Sequence, residues 1–206
     1  MPSAVPWLAL SYLVGAIPTS YLLSRFFAGI DLRQHGSGNL GATNLYRVLG
    51  WKYALPAAVV DIAKGLIPVV AFAPQVSDAQ LVALACGVAA IVGHVFSVFV
   101  GFKGGKGVAT AAGVMLGLAP VALGVSALVW GVLVRLTGYV SLGSIAAAAV
   151  LPLAVYTLED TGTSPLFWIA AAIAAAVIIL HRHNIQRLLK GTESRFGRRA
   201  ASTPQP

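Results

Sequence analysis

The residues of this chain best suited to phosphate chemistry fall in three segments, 35–47, 93–110 and 181–187. The first reads His35-Gly-Ser-Gly-Asn-Leu-Gly-Ala-Thr-Asn-Leu-Tyr-Arg47. Its glycines, Gly36 and Gly38 among them, let a backbone approach a ligand closely, and consecutive N–H groups can form an anion nest. Ser37, Asn39, Thr43 and Asn44 add small donors, and Arg47 adds a planar fork that matches a phosphate. Residues 36–41 also fit G-x-G-x-x-G, but a dinucleotide site needs a strand before that pattern and a βαβ unit around it. An apolar helix precedes it instead. The competing reading is an ordinary turn whose Ser, Thr and Asn cap helices.

The second segment ends Phe102-Lys-Gly-Gly-Lys-Gly-Val-Ala-Thr110. It is not a P-loop: three residues separate Gly101 from Gly105 where four are required, and Gly107 stands where Ser or Thr should follow the lysine. Even so, Lys103, Gly104, Gly105, Lys106 and Gly107 lead into a helix starting near Val108, so backbone donors, helix dipole and point charges converge as an anion would require. The alternative is that the lysines mark a membrane boundary. His94, about two turns before the end of the apolar run 79–100, is either a buried core histidine or part of the site. In the third segment, 100° per residue puts His181 and Asn184 on one face and His183 nearly opposite. Arg187 leans towards phosphate or lipid headgroups. Asp61 and Lys64, at i,i+3 within an apolar run, must neutralise each other there, as a packing salt bridge or at the site itself.

These segments must be positioned by membrane helices. The chain has 206 residues, 58% apolar, 10% charged, with net charge +8 and mean hydropathy +0.84. A soluble domain does not have that composition. Positive-inside bias accounts for most of the cations, and no nucleic-acid partner is expected. The single cysteine, Cys86, lies in an apolar run and cannot form an internal disulfide. The first residues have no basic n-region, so the first apolar run reads as a retained span rather than a signal peptide.

A span needs about 20 apolar residues. Five are clear, at 5–27, 54–73, 79–100, 140–158 and 165–180. The stretch 108–134 is one tilted helix or two short ones folded at Gly117-Leu-Ala-Pro120. Charge decides between them. Asp78, Glu159 and Asp160 occupy loops without Lys or Arg, whereas Arg25, Arg33, Arg47, Lys52, Lys103, Lys106 and the stretch 182–199 crowd the others. Two crossings put Arg135 and the tail inside and the acidic loops outside. The expectation is an all-α polytopic bundle of seven transmembrane helices, N-terminus outside, C-terminus cytoplasmic, with two short central spans. It forms one domain over 1–193, followed by a basic, flexible cytoplasmic tail over 194–206, and all three polar segments face the cytoplasm.

A cationic, glycine-lined cavity walled by apolar helices suits a phosphorylated polar substrate meeting a lipid-like one. The four histidines lack metal-ligand spacing, and no metal or cofactor is expected. A His-x-x-x-x-Asp acyltransferase pair is also missing, since the fifth residue after His35, His94, His181 and His183 is Leu40, Phe99, Gln186 and Leu188. The rival class is a transporter or flippase of a phosphorylated solute or lipid, which shares short broken spans and helix N-termini aimed at anions.

In order and spacing, these segments resemble the bacterial membrane-integral acyl-phosphate:glycerol-3-phosphate acyltransferase family. The resemblance rests on Gly36-Ser-Gly-Asn-x-Gly-Ala-Thr-Asn-x-x-Arg47, Asp61-x-x-Lys-Gly65, Gly93-His-x-Phe with Phe102-Lys-Gly-Gly-Lys-Gly-Val-Ala-Thr110, and His181-x-x-Asn-Ile-x-Arg-Leu188 followed by Gly191-x-Glu193. It covers the chain from about Ser11 to Glu193. Leu180 departs from the family, which often has Arg there, and Arg182 is the candidate substitute. The resemblance implies transfer of a fatty acyl group from acyl-phosphate to the primary hydroxyl of glycerol 3-phosphate, giving lysophosphatidic acid for phospholipid synthesis in the bacterial inner membrane. It also implies that Ser37, Asn39, Thr43, Asn44, Arg47, Lys106, His181 and Asn184 line the phosphate-binding and reaction site, with Lys103, His94 and Glu193 nearby. The proton acceptor is His181 or the acyl-phosphate itself, and Ser37 lacks a histidine-acid dyad that would make it a nucleophile.

Overall fold

The computed structural model describes residues 3–77, 79–159 and 163–197. Asp78, Asp160 and the tail from Arg198 onward, which entered the charge argument above, lie outside the described residues. The regular structure is helical: α1 (Val5–Ala16), α2 (Thr19–Ala28), α3 (Ala42–Leu49), α4 (Trp51–Ile67), α5 (Gln80–Val95), α6 (Val108–Leu118), α7 (Pro120–Thr137), α8 (Val140–Leu158), α9 (Pro165–Leu180) and α10 (Arg182–Leu189). A π turn and a short 3-10 turn continue α4 to Gln75. Among the described residues, four segments have the length and composition of a membrane span, and two bent pairs, α1 with α2 and α9 with α10, raise the number to six.

The expected first span is not one helix. Pro18 forces the preceding residue out of the helical region, Ile17 sits at φ −55°, ψ 114°, and α1 meets α2 at 41°. A break inside a membrane leaves carbonyls that need donors. Ser97 Oγ donates to the Ala16 carbonyl at 2.5 Å and Lys64 Nζ to the Ile17 carbonyl at 2.8 Å. Lys64 is in turn paired with Asp61 at 2.8 Å. The buried pair thus splints a broken helix, which gives Lys64 a structural role.

The stretch after Lys106 does divide at the expected place, Ala119 lying at φ −151° with Pro120 opening α7. Only one of the two central helices is short, however. The 11-residue α6 is, whereas α7 continues past Arg135 to a left-handed Gly138 cap and reaches 18 residues. Side-chain burial offers little drive within lipid, so close backbone packing matters more. A Cβ on Gly65 would overlap the Thr110 carbonyl, one on Gly113 the Ile62 carbonyl, and one on Gly117 would meet Val69. Gly113 meets Ile62 and Leu66 whereas Gly117 meets Leu66 and Val69, so α6 runs parallel to α4 and begins beside its middle. The N-terminus of α6 therefore opens inside the bundle.

Helices α7 and α8 form an antiparallel hairpin with segregated charge. At one end Glu159 Oε1 accepts from the Ala122 N–H at 3.0 Å. At the other the first tail residues dock: the Phe196 N–H donates to the Gly138 carbonyl at 2.6 Å, and its ring stacks on Tyr46 with centroids 4.3 Å apart. The apolar core joins α5 through α9, with Leu84, Met115, Leu151, Val155 and Leu166 buried.

Candidate active site

Asn44 organises the first segment. Its Nδ2 donates to the His35 and Asn39 carbonyls, both at 3.0 Å, and its Oδ1 accepts the Ser37 N–H at 2.8 Å. Gly36, at φ +61°, is required by this arrangement, because a Cβ there would strike Asn44 Oδ1. The expected substrate donor at 44 is therefore already engaged and acts as the loop's inner frame. Gly38, at φ +70°, turns the loop over Arg33. Neither Gly36 nor Gly38 lines the cavity, whereas Ser37, Asn39, Thr43, Asn44 and Arg47 do. Thr43 and Arg47 lie one turn apart on α3 and so share a face. Arg47 Nη2 stands 3.7 Å from Glu193 Oε1 and donates to the Ser194 carbonyl at 3.3 Å.

The second segment folds back on the end of α5. Gly104 and Gly105 donate their N–H groups to the Val95 and His94 carbonyls at 3.0 and 3.1 Å. A Cβ on Gly105 would overlap the His94 ring and one on Gly104 the His94 carbonyl. These glycines permit close packing on His94, and neither reaches the cavity. His94 lies one residue before the end of α5, nearer than the two turns expected, and its Nδ1 is 3.9 Å from Asp61 Oδ1. His94 and Asp61 both line the cavity. Gly107, left-handed at φ +78°, starts α6 and sets Lys106 at the cavity. Lys103 is exposed and points elsewhere.

In the third segment His181 and Asn184 are buried while His183 is exposed. Arg182 is exposed too, so it does not substitute for the arginine missing at Leu180. His181 Nδ1 lies 2.8 Å from the Val177 carbonyl. A carbonyl only accepts, so Nδ1 carries the proton and Nε2 is left as an acceptor. Glu193 is the hub. Its carboxylate accepts from Asn184 Nδ2 at 2.7 Å, Ser141 Oγ at 2.9 Å and Arg187 Nε at 2.7 Å. Asn184 Oδ1 in turn accepts from Lys106 Nζ. Burial pushes the Glu193 carboxyl up, but hydrogen bonds from Asn184, Arg187 and Ser141 outweigh it and hold it below the ordinary value. Burial pulls Arg47 down, against the pull of Glu193. Burial likewise brings Lys106 down to about 8, Glu193 opposing and Arg187 and Arg47 adding to the fall.

The groups meet at the mouth of a cavity of about 400 Å³. Beyond the mouth its walls are apolar, including Ile62, Met115, Leu123, Leu151, Ile173 and Val177. Sequence reasoning missed Ser126, Trp130, Ser141 and Ser144, which also line it. The available signal was Ser141 and Ser144 at i,i+3, continuing to Ala148 and Leu151 along one face of α8.

Fold and site together define a multi-pass helical membrane protein with a cationic, amide-lined mouth opening on an apolar cavity. The family model described as glycerol-3-phosphate acyltransferase matches residues 5–191. A glycerol-3-phosphate acyltransferase of Trichlorobacter lovleyi is 49% identical over 95% of this chain and 99% of its own length. One of Chlorobaculum parvum is 44% identical over 94% and 97%. The crystal structure of PlsY, an integral membrane glycerol 3-phosphate acyltransferase, in its glycerol 3-phosphate form superposes with TM-score 0.88 at 40% identity, covering 95% of this chain and 96% of that one. Its lysophosphatidic acid form gives 0.85 at 39%. The chain belongs to the glycerol-3-phosphate acyltransferase family, and it is a membrane-integral acyltransferase.

Proposed function

We propose that this protein transfers a fatty acyl group from acyl-phosphate to the primary hydroxyl of glycerol 3-phosphate, forming lysophosphatidic acid and phosphate. One observation carries the donor assignment: Arg47, Lys106 and His181 open on the same cavity whose further walls are apolar. A phosphate held at that mouth has its acyl chain directed into the apolar part. The glycerol hydroxyl oxygen attacks the acyl carbonyl carbon, the bond from that carbon to the phosphate oxygen breaks, and the hydroxyl proton ends on the departing phosphate. Arg47 and Lys106 hold phosphate charge, while Ser37 and Asn39 offer donors where negative charge develops. His181 Nε2 orients the attacking hydroxyl. Ser37 acts as a donor and not as the nucleophile.

The same reading sets one domain over 1–193 and a basic tail over 194–206 in the bacterial inner membrane. It has seven crossings, with the N-terminus outside, and the C-terminus and the site on the cytoplasmic face. Two observations support this: α4 and α6 run parallel, and Glu159 and the docked tail occupy opposite ends of the α7–α8 hairpin. Purified protein in detergent, given palmitoyl phosphate and glycerol 3-phosphate, should release phosphate and lysophosphatidic acid in equal amounts and give nothing with palmitoyl-CoA. Product from palmitoyl-CoA alone would overturn the donor assignment.

A further inference from the structure

Residues 194–196 lie beyond the stretch 5–191 that the family model matches, yet they reach the site. Gly191, left-handed at φ +68°, turns the chain after α10, and the Thr192 N–H donates to the Arg187 carbonyl at 2.8 Å. Past Glu193 the chain docks on two further elements. One is the corner between α7 and α8: the Phe196 N–H donates to the Gly138 carbonyl at 2.6 Å, Arg195 Nε donates to the Tyr139 hydroxyl at 3.3 Å, and the Arg195 guanidinium carbon lies 5.2 Å from the centroid of that ring. The other is α3, where the Phe196 ring stacks on Tyr46 with centroids 4.3 Å apart and planes 20° from parallel. Tyr46 directly precedes Arg47. The Ser194 carbonyl, between Glu193 and these anchors, accepts from Arg47 Nη2 at 3.3 Å. Among the described residues, this is the one hydrogen bond a protein group makes with Arg47, and Arg47 lines the cavity.

We infer that Phe196 is a positioning residue: its stack on Tyr46 and its bond to Gly138 hold the Ser194 carbonyl against Arg47, which fixes the guanidinium at the cavity mouth before a phosphate arrives. The inference rests on the reading above in which Arg47 holds phosphate. A long side chain that is free before binding loses rotamer freedom when it engages a ligand, and one already held does not. Glu193 does not depend on this anchor, since Asn184, Ser141 and Arg187 hold its carboxylate. Phe196 therefore acts on the phosphate through Arg47 and touches no reacting atom.

The test is titration calorimetry of glycerol 3-phosphate on the full-length protein in detergent, comparing wild type, Phe196→Ala, Phe196→Tyr, Arg47→Lys and the double variant Phe196→Ala with Arg47→Lys. Phe196→Ala should weaken binding roughly three- to tenfold, the scale of ordering one long side chain, with the KM for palmitoyl phosphate unchanged. Phe196→Tyr keeps the ring and should bind as wild type does. In the Arg47→Lys background, Phe196→Ala should cost less than about twofold, because the group it positions is gone. An equal loss in both backgrounds would show a general structural effect and overturn the inference. Unchanged or tighter binding in Phe196→Ala would also overturn it, the latter by showing that the Ser194 carbonyl competes with phosphate. Wild type that binds glycerol 3-phosphate and transfers no acyl group from palmitoyl phosphate would overturn the function itself, a separate outcome.

Discussion

Asn184 joins a cation and an anion that do not touch each other: its Oδ1 accepts from Lys106 Nζ while its Nδ2 donates to Glu193 Oε1 at 2.7 Å. One amide thereby ties the N-terminus of α6 to the segment after α10, with Ser141 of α8 on the same carboxylate. Replacing Asn184 by Ala leaves a buried Glu193 oxygen and the Lys106 ammonium short of a partner each. The expected cost is about 1–3 kcal/mol, read as a lower thermal midpoint in detergent, together with weaker glycerol 3-phosphate binding.

Lys106 gives the site a pH dependence. Burial first, then Arg187 and Arg47, bring it down to about 8, and a bound phosphate favours its charged form. Below pH 8 the dissociation constant for glycerol 3-phosphate should be flat. Above it the neutral amine predominates and the constant should rise by up to about tenfold per pH unit. Titration calorimetry between pH 7 and pH 10 checks this, and Lys106→Arg, always charged, should remove the break near pH 8.

Arg47 reaches both the Ser194 carbonyl and Glu193 through one nitrogen of its fork, Nη2. Arg47→Lys keeps charge and loses the fork. The KM for glycerol 3-phosphate should rise about tenfold or more, the scale of one charge-assisted hydrogen bond. Wild-type kinetics in this variant would remove Arg47 from the phosphate site.

The Asp61–Lys64 pair, each side chain 3% exposed, supports the break between α1 and α2. Lys64→Met strands a buried carboxylate and the Ile17 carbonyl, and should destabilise the fold by about 3–5 kcal/mol. Adding Asp61→Asn should return part of that loss, since the stranded charge is gone. Midpoints of the single and double variants in one detergent decide the matter.

Much of this was legible in the sequence because the signals are local. Helical spacing separates His181 and Asn184 from His183, and Pro120 with the charge pattern divides α6 from α7. The roles of Gly36, Gly104 and Gly105 were not legible, since the groups they approach, Asn44 and His94, lie 8 to 11 residues away in sequence. Spacing alone does not tell a glycine that admits a ligand from one that admits a side chain. Lys64 was readable as a partner of Asp61 but not as a donor to Ile17, which is 47 residues distant. Ser126 stayed hidden in an apolar run for the same reason: only the fold aims α7 at α8.

The most direct test follows the bond that breaks. Palmitoyl phosphate carrying a heavy oxygen isotope in the bridging position is turned over with glycerol 3-phosphate, and the isotope is located by mass spectrometry. Attack at the acyl carbon predicts all of the label in released phosphate and none in lysophosphatidic acid. Label retained in free fatty acid, or phosphate released without lysophosphatidic acid, would contradict acyl transfer at this site.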